Sequence, residues 1–231
     1  MVGQTIRRER AVLSQAIPIL PGQIAAADRL HGRLTSWSAT DNSFRILRER
    51  VPGWDVEAAL LKTAAINQLY WTQVRAVWRM ALHISEVMKD PPSEPALLVD
   101  GIALLPPRQG ERKFRFRSFA SKLCHFFVDA DRFAIYDSFS CATVRHHLGR
   151  QTAPPDNPYG VFLADAGRLL DVSGLQSMTF RQLDRYLWLA GQYRAYLRRN
   201  VAISQDVRLL FEDDSGQVQE DLLLLIAAAG T

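Results

Sequence analysis

Residues 112–149 read RKFRFRSFASKLCHFFVDADRFAIYDSFSCATVRHHLG, and this stretch decides the fold class and the chemistry. Ser118 to Val128 has the spacing of a short helix, Asp129 and Asp131 mark a turn, and Phe133–Tyr136 is a brief apolar run. Ser138 to Leu148 reads as a second helix, closed by Gly149. Lys122 falls near the start of the first helix and Asp137 where the second begins, 15 residues later. That separation holds one helix, a turn and a helix start, so the two side chains are able to face a common cleft.

Phe119 lies three residues before Lys122 and Phe126 four after, which gives the lysine an aromatic helical face. Partial desolvation disfavours an ammonium and leaves more neutral amine, able to attack a sugar C1′ or to activate water. The plain structural alternative is a lysine snorkelling along Phe126 to solvent. Asp137 is well placed as a helix N-cap. A carboxylate there is held anionic by backbone N–H groups and the helix dipole, and it can stabilise an oxocarbenium-like sugar.

Outward from this stretch the period stays helical. Asp55 caps a helix with Val56, Ala59, Leu60, Thr63 and Ala64 on one face. After a break at Leu69–Trp71, Thr72 is expected to cap another, with Val74, Val77, Trp78, Ala81 and Met88 inward. Pro91-Pro92 with Pro95, and Pro106-Pro107 with Gly110, are breakers. Residues 151–160 read as a loop, and Thr179 opens a long helix to about Asn200. The first 52 residues read as two or three helices. The apolar runs Leu97–Leu105 and Val207–Phe211 fit helix or strand equally, since periodicity cannot separate them.

The chain has 231 residues, 28 Lys+Arg against 24 Asp+Glu, and a net charge of +4. Residues 206–231 carry Asp206, Glu212, Asp213, Asp214, Glu220 and Asp221 against Arg208, a net of −5, which leaves +9 on the rest. Two stretches concentrate the excess, 108–122 and 181–199. A basic body suits a polyanion, nucleic acid first. The longest apolar run, Leu222–Ala229, is eight residues, too short to span a bilayer, so no membrane partner is expected. MVGQTIRRERAVLSQ at the N-terminus has no apolar core, so no secretory signal is expected. Cys124 and Cys141 make no disulfide framework, and a reducing cytoplasm is the expected location.

The central stretch is similar to the helix-hairpin-helix DNA glycosylases, above all the 8-oxoguanine branches and among those the archaeal branch with an atypical hairpin. Ser118-Phe119-Ala120-Ser121-Lys122 overlays their Gly-x-Gly-x-Lys, and Phe133–Asp137 overlays the run into their catalytic aspartate. Ser118 and Ala120 stand where that family has its hairpin glycines. AAINQLYWTQVRAVWRMALHI (64–84) resembles the family's helix–loop–helix, from which a polar side chain enters the gap left by a flipped base. The resemblance covers about 60 residues.

It implies a mainly α, two-lobed glycosylase fold with DNA crossing the cleft between lobes. About 53–110 would form one lobe, about 111–200 the hairpin and catalytic helices, and 201–231 an acidic C-terminal segment. The implied activity is excision of a damaged or modified base from double-stranded DNA by N-glycosidic cleavage, leaving an abasic site, with or without strand nicking. Lys122 and Asp137 would be catalytic. Asn67, Gln68, Tyr70, Trp71 and Phe126 would form the base pocket or wedge. Arg115, Arg117, Ser118, Ser121, Arg145 and His146 would contact the DNA backbone. The implied substrate is an oxidised purine of the 8-oxoguanine type, or a hypermodified phage base such as glucosylated hydroxymethylcytosine in antiviral defence. No cofactor or metal is expected, and the chain is expected to act as a monomer.

Two other readings stay open. A glycosylase-like fold that only binds DNA shares every basic and aromatic feature. Asp100, Glu111 and Lys113 also match the D-x10-E-x-K spacing of Mg²⁺-dependent nucleases. Zinc is disfavoured, because Cys124, His125, Cys141, His146 and His147 lack paired ligand spacing. The phosphate-loop, G-x-S-x-G and Rossmann glycine patterns do not occur.

Overall fold

The computed structural model describes residues 16–110, 113–150, 158–199 and 203–227, and every regular element among them is a helix. In chain order these are α1 (Pro21–Arg33), α2 (Thr35–Arg50), α3 (Val56–Leu69), α4 (Val77–Val87), α5 (Pro95–Ala103) and α6 (Arg117–Phe127). They are followed by α7 (Ser138–His147), α8 (Tyr159–Val172), α9 (Phe180–Leu197), α10 (Gln205–Phe211) and α11 (Gly216–Ile226). The fold is therefore mainly α. Among the described residues no helix is long and apolar enough to cross a membrane.

Local chemistry accounts for the helix starts. The Asp55 carboxylate accepts the Ala58 N–H at 2.8 Å, and the Asp137 carboxylate accepts that of Ser140 at 2.8 Å. Thr179 and Gln182 form a reciprocal capping box ahead of α9. The two ambiguous apolar runs are helical. Pro95 occupies the first turn of α5, where its fixed φ and missing N–H suit a start, and Asp206 lies in the first turn of α10. Thr72 does not open a helix: α4 begins at Val77, and 70–76 is an irregular loop.

The described chain forms two compact units. One comprises Ala39–Tyr136 with Pro158–Leu163. The other takes the described residues up to Ser38, those from Asp137 to Arg150, and those from Ala164 on. The segments on either side of residue 110 thus belong to one unit, and the residues from 203 on do not stand apart from theirs.

In the 39–136 unit, α3 packs against α4 and α6, and α5 packs against α4 and α6. Phe44, Ile66, Met80, Ile84, Val99, Ile102, Leu123 and Phe133 are buried there. Two expected faces shift. α3 turns Ala58, Ala59, Lys62, Thr63 and Ile66 inward, and its apolar residues run so nearly all round that period alone does not select a face. On α4, Met80, Ala81 and Ile84 are buried while Trp78 is exposed.

In the other unit, α9 packs against α7, α1 and α11, and α11 against α1. Leu183, Leu187, Ala190 and Tyr193 are buried as the pattern predicts. A Cβ on Gly191 would lie 2.6 Å from the Phe139 carbonyl oxygen, so this glycine lets the α9 backbone approach α7 closely. Thr143 adds a hydroxyl bond to the Leu187 carbonyl at 2.8 Å. The acidic residues near the C-terminus pair within the unit. Asp221, 1% exposed, receives Arg29 through Nε and Nη2, Asp213 lies 3.8 Å from Arg33, and Asp206 accepts the Ser36 hydroxyl. His147 bridges the Ile17 carbonyl and the Tyr186 hydroxyl, each at 2.7 Å, and its burial pushes the imidazole down to about 4.

Candidate functional site

Helix α6 is enclosed along most of its length, every residue from Phe119 to Phe127 being buried. Lys122 is 4% exposed. Its amine donates to the Ser118 hydroxyl at 2.8 Å, one turn back, and reaches the Ser118 carbonyl at 3.5 Å. The same nitrogen lies 5.6 Å from the centre of the Tyr70 ring. Tyr70, Phe44 and Phe126 form one aromatic cluster, with ring centres 4.7 to 5.8 Å apart. A buried ammonium is costly unless bonded, and here a hydroxyl and a π face take up part of that cost.

Ser121 is fully buried. Its hydroxyl donates to the Ser118 carbonyl at 3.2 Å and accepts the Tyr136 N–H at 2.9 Å. His125 contacts the Phe133 carbonyl at 2.7 Å, and Tyr159 donates to the Ala134 carbonyl at 2.9 Å. The apolar run 133–136 is thus held as irregular backbone by side chains. Asp137 follows it in the chain as the first residue of the other unit. There its carboxylate caps α7, and its carbonyl accepts the Cys141 N–H at 2.9 Å.

The loop after α3 has an unusual backbone. Trp71 (φ +50°) and Gln73 (φ +60°) are both left-handed without being glycine. Asn67 holds this shape: its Oδ1 accepts the Val74 N–H at 2.8 Å and the Thr72 hydroxyl at 3.1 Å, and its Nδ2 donates to the Val74 carbonyl at 3.1 Å. Trp71 stands 82% exposed at the tip, and Gln68 is exposed beside it in the chain. A cavity of about 570 Å³ adjoins the loop, lined by Gln73, Arg75, Arg79, Pro106, Phe114 and Phe116 among others. The last two rings lie 4.8 Å apart with Phe114 largely exposed, and Arg115 between them in sequence is exposed as well.

Several predicted residues have structural work. Asn67 is committed to its loop, and Phe126 lies in the aromatic cluster. Ser121 has no surface to offer a phosphate, and the Ser118 hydroxyl accepts the Lys122 amine. Arg117 donates to the Asp100 carboxylate at 2.7 Å, so its charge is already matched. That pair also neutralises one carboxylate of the D-x10-E-x-K pattern; Glu111 lies outside the described residues and Lys113 is exposed. Arg145 is half-buried and His146 exposed, both in the last turn of α7. Cys124 and Cys141 are buried, and burial pushes the Cys124 thiol up.

Sequence reasoning passed over Lys62. It is 1% exposed, donates to the Gly53 carbonyl at 2.5 Å and sits 4.1 Å from the centre of the Trp54 ring. Burial pushes its amine down to about 8, against the opposing pull of Asp55. Gly53 and Trp54 precede α3, so no helical spacing points to this contact. Among the described residues no group of three or more His, Cys, Asp or Glu is placed to hold a metal ion.

A family model, HI_0787_N, described as an N-terminal domain, matches residues 24–131. The chain is similar to that family over Asn67, the Trp71 loop and Lys122, and the match ends before Asp137. No curated protein and no solved structure matches the chain.

Proposed function

We propose that the chain is a DNA glycosylase in which Lys122 and Asp137 break the N-glycosidic bond of a modified base. The observation that carries this reading is the Lys122 amine, 4% exposed, held at 2.8 Å by the Ser118 hydroxyl and 5.6 Å from the Tyr70 ring. The neutral form of such an enclosed amine is the one that attacks C1′ or takes a proton from water. Substrate access requires a neighbouring side chain to move. Tyr70 is suited to that role, because it leads directly into the strained loop that carries Trp71.

The steps follow from these parts. Trp71 stacks into the duplex as a base leaves it, at a cost of a few kcal/mol in lost stacking and pairing. Arg115 and the exposed Arg75 of the loop contact phosphates. In the hydrolytic form the C1′–N bond breaks, a water oxygen bonds to C1′, and Lys122 takes one water proton and passes it to the departing base. In the covalent form the Lys122 nitrogen bonds to C1′ as the base leaves with one of its protons, the C1′–O4′ bond opens to give an iminium, and this is later hydrolysed or eliminates the 3′ phosphate. In both forms the role proposed for the Asp137 carboxylate is to offset the positive charge that develops on the sugar. The substrate class is an oxidised purine or a hypermodified phage pyrimidine.

The test is abasic-site formation, in chelator, across duplexes bearing 8-oxoguanine and other oxidised bases and across phage genomic DNA containing glucosylated hydroxymethylcytosine. Release of one base class is expected. Tight binding to all of these DNAs with no base released would overturn catalysis and leave a DNA-binding protein.

A further inference from the structure

A groove of about 320 Å³ runs between α7 and α9, wholly within one unit. Its floor is small and apolar, made by Phe139, Ala142, Gly191 and Ala195. Its polar lining includes His146 from α7 and Arg194 and Arg198 from α9, with no carboxylate among the lining residues. Among the described residues Arg194 and Arg198 face no aspartate as Arg29, Arg33 and Arg185 do, and Arg194 bonds the Tyr186 side chain. Arg194 is half-buried, and its Nη1 is shut from solvent with no hydrogen-bond partner. A buried guanidinium N–H without an acceptor is costly, so such a group is expected to have one in the functional state.

We infer that this groove is a phosphate-binding site, in which the guanidinium groups of Arg194 and Arg198 and the His146 ring hold one phosphoryl group. Two arginines and an imidazole offer planar N–H groups to tetrahedral oxygens, an arrangement that suits phosphate better than a lone carboxylate. The apolar floor suits a sugar or base edge carried with it. Ser138, the residue after Asp137, is among the lining residues, so in the chain the groove adjoins the residue that the glycosylase reading makes catalytic. Assigning the phosphate to a DNA strand rests on that reading; the phosphate chemistry does not. A second source is a free nucleotide or inorganic phosphate.

Nearby charges give the site an internal probe. Burial holds the His146 ring below its usual range, and Arg194 and Arg198 push it further the same way. His147 on α7 and Tyr186 on α9 share these surroundings, each interacting with Arg194. An anion seated between the arginines screens them from the ring and raises its titration point.

The experiment follows the His146 ring by NMR in the full chain, assigned by its loss in His146→Gln, with and without inorganic phosphate. In parallel, the affinity of an unmodified duplex is measured against salt for the wild type and for Arg198→Gln, whose side chain is exposed and bears little on folding. Phosphate should raise the His146 titration point by about half a unit or more. Arg198→Gln should lower the log–log salt slope by about 0.9, the value for one lost phosphate contact. A raised titration point with an unchanged slope keeps the phosphate site and assigns it to the free ligand. An unmoved titration point overturns the site, whatever the slope does, since the anion is then not between these groups. Base excision enters neither measurement, so failure of the glycosylase reading would be seen separately.

Discussion

Lys122 and Ser118 lie one turn apart on α6, and the amine of the first donates to the hydroxyl of the second at 2.8 Å. The residue that the glycosylase resemblance would set in place of a hairpin glycine is therefore the partner of the candidate nucleophile. Lys122→Gln keeps a hydrogen-bonding end but can neither attack nor take a proton. Base excision should fall by about 10² or more, with the far-UV spectrum unchanged, on the scale of losing a positioned base or nucleophile. Excision at the wild-type rate by a folded Lys122→Gln chain would show a purely structural lysine. Borohydride trapping of the wild type then separates an attacking amine from one that orients water.

Asp137 caps α7 through the Ser140 N–H, a role that asparagine fills about equally well. Asp137→Asn should therefore fold, with a loss of about 0.3–1 kcal/mol from the charge–dipole interaction. Excision should drop by about 10² or more, because the neutral amide no longer offsets a cationic sugar. Urea unfolding and single-turnover excision together check this. A drop confined to stability would assign Asp137 to capping alone.

Trp71 holds a left-handed backbone without being glycine. Trp71→Gly should relieve strain and stabilise the chain by about 1 kcal/mol, apart from any effect on DNA. If the indole stacks into the duplex, the same variant should lose excision of paired substrate and retain more of it on single-stranded substrate, where no base has to be flipped. Equal losses on both substrates would remove Trp71 from the flipping step.

Lys62 makes stability depend on alkaline pH. Below about pH 8 its amine is protonated in the folded and unfolded chain alike. Between 8 and the ordinary value of 10.5 the unfolded chain holds a proton that the folded chain has released, so stability rises with pH across that window. The rise is up to about 1.4 kcal/mol per pH unit, the linkage value for one group. Lys62→Met removes it, so the difference in unfolding free energy between the two chains should change between pH 8 and 10. A flat difference would mean that the amine keeps its proton on folding.

What could be read from the sequence was what is local. Asp55, Asp137 and Thr179 mark helix starts because a cap needs only the next three residues. Thr72 opens no helix because Asn67, five residues back, takes the hydrogen bonds that shape the loop. The inward face of α3 was obscured because its apolar residues surround the helix, and its buried lysine is stabilised by Gly53 and Trp54 outside that helix. Of the candidate site, Lys122 and its aromatic neighbours were visible in helical spacing. The α7–α9 groove was not, because Arg194 and Arg198 lie 48 and 52 residues from His146 and only packing brings them together.

The Arg29–Asp221 pair joins residues 192 apart in sequence, and α1 packs on both α9 and α11. During synthesis α1 leaves the ribosome well before α9 and α11, the helices it packs on. The Ala39–Tyr136 unit draws most of its chain from one continuous stretch, so it can begin to fold while α1 still waits. An early-exposed α1, with Ile24, Ala27 and Leu30 uncovered, is the stretch for which a nascent-chain chaperone would have most use.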